Sequence, residues 1–94
     1  MRPRELQFYI SPSSGKCHAE EFLLKLSKKS PRDYAVIRAR LARAQAGNLG
    51  NYRDLGDKAL ELKIPQGPAY RVYCTLTDEL LVAVHANVKG PKKS

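Results

Sequence analysis

The sequence has only two cysteines and no long apolar run, and these two features exclude several classes of protein. Its 94 residues include only two cysteines, Cys17 and Cys74. Two cysteines so far apart form neither a disulfide framework nor the spacing of a zinc site, so we interpret both as ordinary small side chains. No apolar segment approaches the roughly 20 residues that span a bilayer. The basic residues 1–4 are not followed by the apolar stretch of a signal peptide, and we expect a cytoplasmic protein with no membrane partner.

The motifs of several enzyme classes are also missing. The sequence has no glycine-rich phosphate loop, no Cys-x-x-Cys pair and no His/Cys/Asp cluster with a metal-ligand spacing. Its two histidines, His18 and His85, give no basis for a Ser-His-Asp arrangement. We therefore predict no cofactor and no metal.

Positive charge is what the sequence has in excess. Lysine and arginine number 17 against 9 acidic residues, for a net charge of +8. A surface this basic attracts polyanions, of which nucleic acid is the commonest. A membrane surface, an acidic protein or a merely soluble basic domain fits the same charge, so charge alone leaves these alternatives open.

The pattern of apolar residues predicts a single domain over residues 1–94, with the order β-α-α-β-β-β. The second helix is the best-marked element, because Ser30 suits an N-cap, Pro31 suits the first turn and Gly47 suits the C-terminal cap. The predicted helices cover residues 17–28 and 31–46. The predicted strands cover residues 5–10, 59–64, 69–76 and 80–86, and residues 47–57 are predicted to form a loop.

The short links between elements predict how the domain is assembled. The two helices should form a hairpin, and the last three strands should form an antiparallel meander. An α+β fold results, in which the helical hairpin packs on one face of a small, mostly antiparallel sheet. No helix is predicted after the last strand, and residues 89–94 are expected to be a flexible basic tail.

Alternation along the strands predicts which side chains point away from the helices. Leu80, Val82 and Val84 should face the helices with the apolar residues of the neighbouring strands. The opposite face should then present Lys63, Arg71, Tyr73 and His85. Cations, a phenol and an imidazole suit RNA cleavage, which needs proton transfer and stabilisation of a negatively charged phosphorane.

Structural roles explain the same residues equally well. Glu61 and Arg71 would also form a plain cross-strand ion pair, and a strand tyrosine or histidine is usually a packing residue. Four arginines are further candidates for contacts with RNA: Arg38, Arg40, Arg43 and Arg53. The first three are predicted to lie on the polar side of the second helix, where a charged row is also typical of a solvated surface.

Three segments carry a resemblance to a known family. They are Gly47-Asn48-Leu49-Gly50, Glu61-Leu62-Lys63-Ile64 and Gly67-Pro68-Ala69-Tyr70-Arg71-Val72-Tyr73. Together they resemble the RelE/ParE toxin superfamily, in particular its branch of HigB-like, phage-derived addiction-module killer proteins. The similarity covers roughly residues 5–89, and the fold of that family has the predicted order of elements.

The resemblance implies the toxin of a type II toxin–antitoxin system, neutralised by a cognate antitoxin that is expected to be a helix-turn-helix protein. RelE-like members are mRNA interferases, endoribonucleases that cut messenger RNA on the ribosome without a metal. The cations that contact the scissile phosphate in them match Lys63, Arg71 and Lys89, so these are the implied catalytic residues. Tyr73 and His85 are further catalytic candidates.

Two departures from the family pattern keep other functions open. Glu61 occupies the position of a lysine that often lies two residues before the first phosphate-binding cation. The sequence also ends without the C-terminal helix and the terminal tyrosine or histidine that several nucleases of the group use. A non-enzymatic inhibitor of DNA gyrase, as in ParE-like members, and an inactive toxin that only binds antitoxin or RNA are therefore the alternatives.

Overall fold

The computed structural model describes residues 3–65 and 68–88. It is an α+β domain with two helices and a five-stranded sheet, so the predicted fold class is confirmed. Neither helix within the described ranges is long and apolar enough to cross a membrane. In chain order the elements are β1 (Glu5–Phe8), α1 (His18–Lys29), α2 (Pro31–Gln45), β2 (Tyr52–Gly56), β3 (Ala59–Ile64), β4 (Tyr70–Leu76) and β5 (Leu80–Val88).

Local chemistry explains where the helices begin and end. Cys17 caps α1, because its Sγ accepts a hydrogen bond from the backbone N–H of Glu20 at 3.4 Å. Acidic residues occupy the first turn of α1 and basic residues its last turn, which suits the helix dipole. Pro31 begins α2, and Gly47 follows it with φ +100°, a left-handed conformation that favours glycine. The two helices therefore form the predicted hairpin.

The strands lie in the order β1-β5-β4-β3-β2. β1 pairs parallel to β5, and the other neighbours pair antiparallel. β2 lies within the segment that was predicted as a loop, so that prediction is wrong. All five of its residues are exposed, because it is an edge strand that the core does not cover. It therefore lacks the apolar alternation by which a buried strand is identified.

The hydrophobic core lies between the helical hairpin and one face of the sheet. Ile37 and Leu41 of α2 and Leu62, Val72 and Leu81 of the sheet are completely buried there. The helices cover this face, and the opposite face has no helix among the described residues. We call the uncovered side the open face.

The β5 side chains that point into the core are not the ones predicted. Leu81, Ala83 and Ala86 are completely buried in the core, whereas Leu80, Val82 and Val84 were expected there. A register shift pairs Cys74 with Ala83 but Tyr73 with His85, so one extra β5 residue lies between the two pairs. Such a bulge reverses the alternation of side chains along a strand, and no apolar pattern in the sequence reveals its position.

Candidate functional site

Two cross-strand rows of polar residues lie on the open face. One row runs Arg53, Glu61, Tyr73 and His85, and the other runs Lys63, Arg71 and Asn87. Residues directly opposite one another on paired strands have Cβ atoms about 5 Å apart. The sheet therefore brings together Lys63, Arg71, Tyr73 and His85, as the sequence predicted.

Lys63 and Arg71 form the centre of this surface. They are direct partners on β3 and β4, and both line a cavity of about 200 Å³ together with Arg53 and Glu61. Lys63 is exposed and Arg71 is half-buried. Three cations around one carboxylate make this cavity positive, which suits the phosphodiester of a nucleic acid.

Glu61 is the buried anion of the cluster. Only 3% of the residue is exposed, and its Oε2 lies 3.1 Å from Nε of Arg71. The hydroxyl of Tyr73 donates to the same oxygen at 3.4 Å. The cross-strand ion pair considered from the sequence is thus confirmed. Because the pair uses Nε, the terminal nitrogens of Arg71 are left to bind a phosphate.

His85 lies at the end of the row beside Tyr73, and their ring centroids are 5.8 Å apart. Its other neighbour is His18, whose ring stacks on it with centroids 3.8 Å apart and an interplanar angle of 15°. Burial lowers the pKa of His85, and the nearby charge of His18 lowers it further. The imidazole is therefore neutral at neutral pH and able to accept a proton.

The four candidate arginines occupy three different environments. Arg53 lines the positive cavity. Arg38 and Arg43 are exposed on α2, on the side of the sheet opposite that cavity. Arg40, predicted to lie in the same exposed row, is instead 8% exposed.

Arg40 holds the chain that follows α2. Its guanidinium donates to the carbonyl oxygen of Leu49 and, at 2.7 Å, to that of Asn51. The carbonyl oxygen of Asn51 also accepts from the backbone N–H of Lys63 at 2.9 Å. Arg40 therefore faces inward and ties the segment after α2 to the sheet. Burial, and then the nearby charge of Arg43, lower its pKa. The prediction that Arg40 is available on the surface for RNA is wrong.

Sequence reasoning missed the contact of His18. Glu61 was interpreted both as the replacement of a phosphate-binding lysine and as a partner of Arg71 in an ion pair, and the structure shows the ion pair. The contact between His18 and His85 arises from the packing of α1 against β5, and no local pattern indicates it. Lys89, the third predicted phosphate-binding cation, lies outside the described residues.

Comparison with known proteins adds one relative. No family model matches the chain, and no solved structure matches it. A protein of Haemophilus influenzae, described as uncharacterized, is 40% identical to this chain over 63 residues. The matched segment is 67% of this chain and 62% of that protein, so the chain spans less than two thirds of the length of this relative.

Proposed function

We propose that this protein is the toxin of a type II toxin–antitoxin system and that it cleaves messenger RNA on the ribosome. The observation that carries the proposal is the pairing of Lys63 with Arg71 on the open face of the sheet. The α+β arrangement, with a helical hairpin on the other face, is compatible with the RelE/ParE-like topology that the sequence resembles. We propose that the fold also has this RelE/ParE-like topology.

The cations act on the phosphate. The planar guanidinium of Arg71 is held at Nε by Glu61, so its terminal N–H groups can donate to two phosphate oxygens. Lys63 adds a mobile ammonium from the neighbouring strand, and Arg53 extends the positive surface along the RNA backbone. Together they stabilise the extra negative charge of the phosphorane, which is the largest requirement of the reaction.

Proton transfer completes the reaction. The ribose 2′-OH loses its proton to the neutral imidazole of His85, and its oxygen attacks the adjacent phosphorus. The bond from phosphorus to the 5′-oxygen breaks, leaving a 2′,3′-cyclic phosphate on one fragment. The ammonium of Lys63 donates a proton to the departing 5′-oxygen, so the step ends with His85 protonated and Lys63 neutral. Tyr73 acts through Glu61, whose carboxylate it helps to hold.

The proposed partners follow from charge and location. The net charge of +8 suits the ribosome and its messenger RNA, and the cytoplasm is the compartment that contains them. The cognate antitoxin is expected to cover the open face with acidic or apolar segments, because complementary charge speeds association and selects the partner.

Induced expression in a bacterial host tests the proposal. We expect translation to stop and new messenger RNA ends to appear within coding regions. Arg71→Ala should relieve the arrest, while Arg32→Ala, which removes an exposed arginine at the start of α2, should remain toxic. DNA damage with intact messenger RNA would instead identify a gyrase inhibitor. Full toxicity of Arg71→Ala would reject the site.

A further inference from the structure

The stacked pair of His18 and His85 connects a helix end to the candidate site. His18 is the first residue of α1 and is exposed, whereas His85 is half-buried in β5. β1 pairs with β5 only along Leu80–Ala83, so His85 lies beyond the part of β5 that β1 covers. The ring of His18 therefore packs beside a stretch of strand that β1 leaves unpaired.

A chain of contacts runs from His18 into the positive cavity. The two imidazole rings lie nearly parallel, 3.8 Å apart. His85 is next to Tyr73, and the hydroxyl of Tyr73 donates to Glu61, which binds Arg71. A ring held on one side by His18 and on the other by Tyr73 has little freedom to rotate, so His18 limits the directions in which His85 can point.

The same contact couples the charges of the two rings. Two imidazolium ions at this separation repel one another, so the second proton binds less readily than the first. The other titratable groups around the pair do not share one sign. Tyr9, Lys16 and Glu21 line a cavity of about 290 Å³ with both histidines, and Tyr73 faces His85 from β4. Lys16 and Glu21 carry opposite charges, so their effects on the protonation of His85 oppose one another. His18 is the neighbour whose ring stacks on that of His85, and its positive charge opposes that protonation.

We propose that His18 is a positioning residue of the nuclease site, which holds the ring of His85 beside Tyr73 and keeps it free to accept a proton. This inference rests on the proposed function for its catalytic part. The stack and the charge coupling can be measured without any RNA. Neither histidine lines the positive cavity. His85 lies beside it next to Tyr73, and His18 acts only through His85.

Titration of the imidazole resonances by NMR tests the coupling directly. In His18→Phe the flat ring remains but the competing charge is gone, and an aromatic face stabilises an imidazolium. The midpoint of His85 should therefore move to higher pH than in the wild type, and it should also rise in His18→Ala. Glu20→Gln is the matched control, because it alters a charge in the same helical turn without lining the cavity of the two histidines. In Glu20→Gln the titration midpoint of His85 should equal that of the wild type. An unchanged midpoint in His18→Phe would overturn the proposal.

The pH dependence of RNA cleavage distinguishes two effects of His18 on His85, the orientation of its ring and the opposition to its protonation. The acidic limb of the profile should move to higher pH in both variants at His18. On the alkaline plateau, His18→Phe should retain the wild-type rate, whereas His18→Ala should be slower because the ring of His85 is no longer held. Equal plateau rates in both variants would overturn the positioning role. If the wild type cleaves no RNA, the proposed function fails while the NMR titration still decides the coupling.

Discussion

Glu61 and Arg71 form an ion pair in which the carboxylate is almost fully buried on the open face of the sheet, with Nε and Oε2 3.1 Å apart. An arginine that extended freely into solvent would sample many orientations, and ordering it on RNA would cost conformational entropy. The buried carboxylate of Glu61 holds the guanidinium in place without any ligand, as the proposed contact with RNA requires. Glu61, which departs from the RelE/ParE pattern that the sequence resembles, thus supports the proposed phosphate-binding arginine.

Glu61→Gln should weaken both the fold and the site. The amide keeps the size of the side chain but loses the charge that pairs with Arg71. Because half-buried Arg71 can turn to water, we expect the free energy of unfolding to fall by only about 1–2 kcal/mol. RNA cleavage should fall more, since the guanidinium is no longer oriented. Urea denaturation and a cleavage assay measure the two effects. Glu20→Gln, at an exposed site, should change stability by less than about 0.5 kcal/mol, and an equal loss in both variants would contradict the anchoring role.

Gly50→Ala tests the contact between Arg40 and the segment after α2. Gly50 has φ +60°, and a Cβ there would lie 3.0 Å from the terminal nitrogen of Arg40 that binds Leu49 and Asn51. That nitrogen cannot move aside without breaking its hydrogen bonds. Gly15 is the matched control, because its φ of +71° is similar but nothing lies within 4 Å of its Cβ position.

In the control, Gly15→Ala should cost roughly 1–2 kcal/mol, the ordinary penalty of a left-handed alanine. Gly50→Ala should cost about 1 kcal/mol more, since a hydrogen bond of Arg40 is also lost. Thermal or urea unfolding of the two variants gives the comparison. Equal losses would show that Arg40 is not held in place by those carbonyls.

The helices and the two faces of β3 and β4 could be predicted because their signals are local. Ser30, Pro31 and Gly47 mark the ends of α2, and alternating residues in β3 and β4 separate Lys63 and Arg71 from the core. Two neighbouring strands with the expected register are enough to bring these two cations together. The centre of the candidate site therefore followed from the sequence.

The remaining features depend on the partners that each segment meets. β2 forms because β3 offers it an edge, and its exposed residues carry no apolar pattern. The bulge in β5 decides that Leu81 rather than Leu80 enters the core. Arg40 turns inward to satisfy carbonyls that lie nine and eleven residues further along the chain. The partners of β2 and of Arg40 lie outside the segments that they affect, and no apolar pattern marks the bulge in β5.

Tyr70 gives the fold a dependence on alkaline pH. Its hydroxyl donates to Oδ2 of Asp33 at 2.5 Å, and burial, followed by this bond, raises the pKa of Tyr70 to about 12. Since the folded pKa exceeds the unfolded value of about 10, the stabilisation is complete below pH 10 and is lost as pH rises towards 12. Cys74, whose pKa burial raises to about 12, adds a loss in the same direction that begins near pH 9.

Tyr70→Phe should separate the contribution of Tyr70 to this alkaline pH dependence from that of Cys74. Without the bond to Asp33 the variant should be less stable at pH 7 by about 2 kcal/mol. Between pH 10 and 12 its stability should fall less steeply than that of the wild type, because one ionisation has been removed. Urea unfolding at several pH values measures both slopes, and Tyr9→Phe, at an exposed tyrosine, should follow the wild type. A slope in Tyr70→Phe equal to that of the wild type would contradict the assignment.

The most direct measurement is cleavage of messenger RNA on purified translating ribosomes, with the new RNA ends mapped at nucleotide resolution. Wild-type protein should cut the message at the ribosome, and Lys28→Ala, which removes an exposed lysine of α1, should cut equally well. Lys63→Ala should lose at least about a hundredfold in rate, because it removes both a phosphate-binding cation and the proposed proton donor. Intact message with the wild type, or undiminished cutting by Lys63→Ala, would contradict the account.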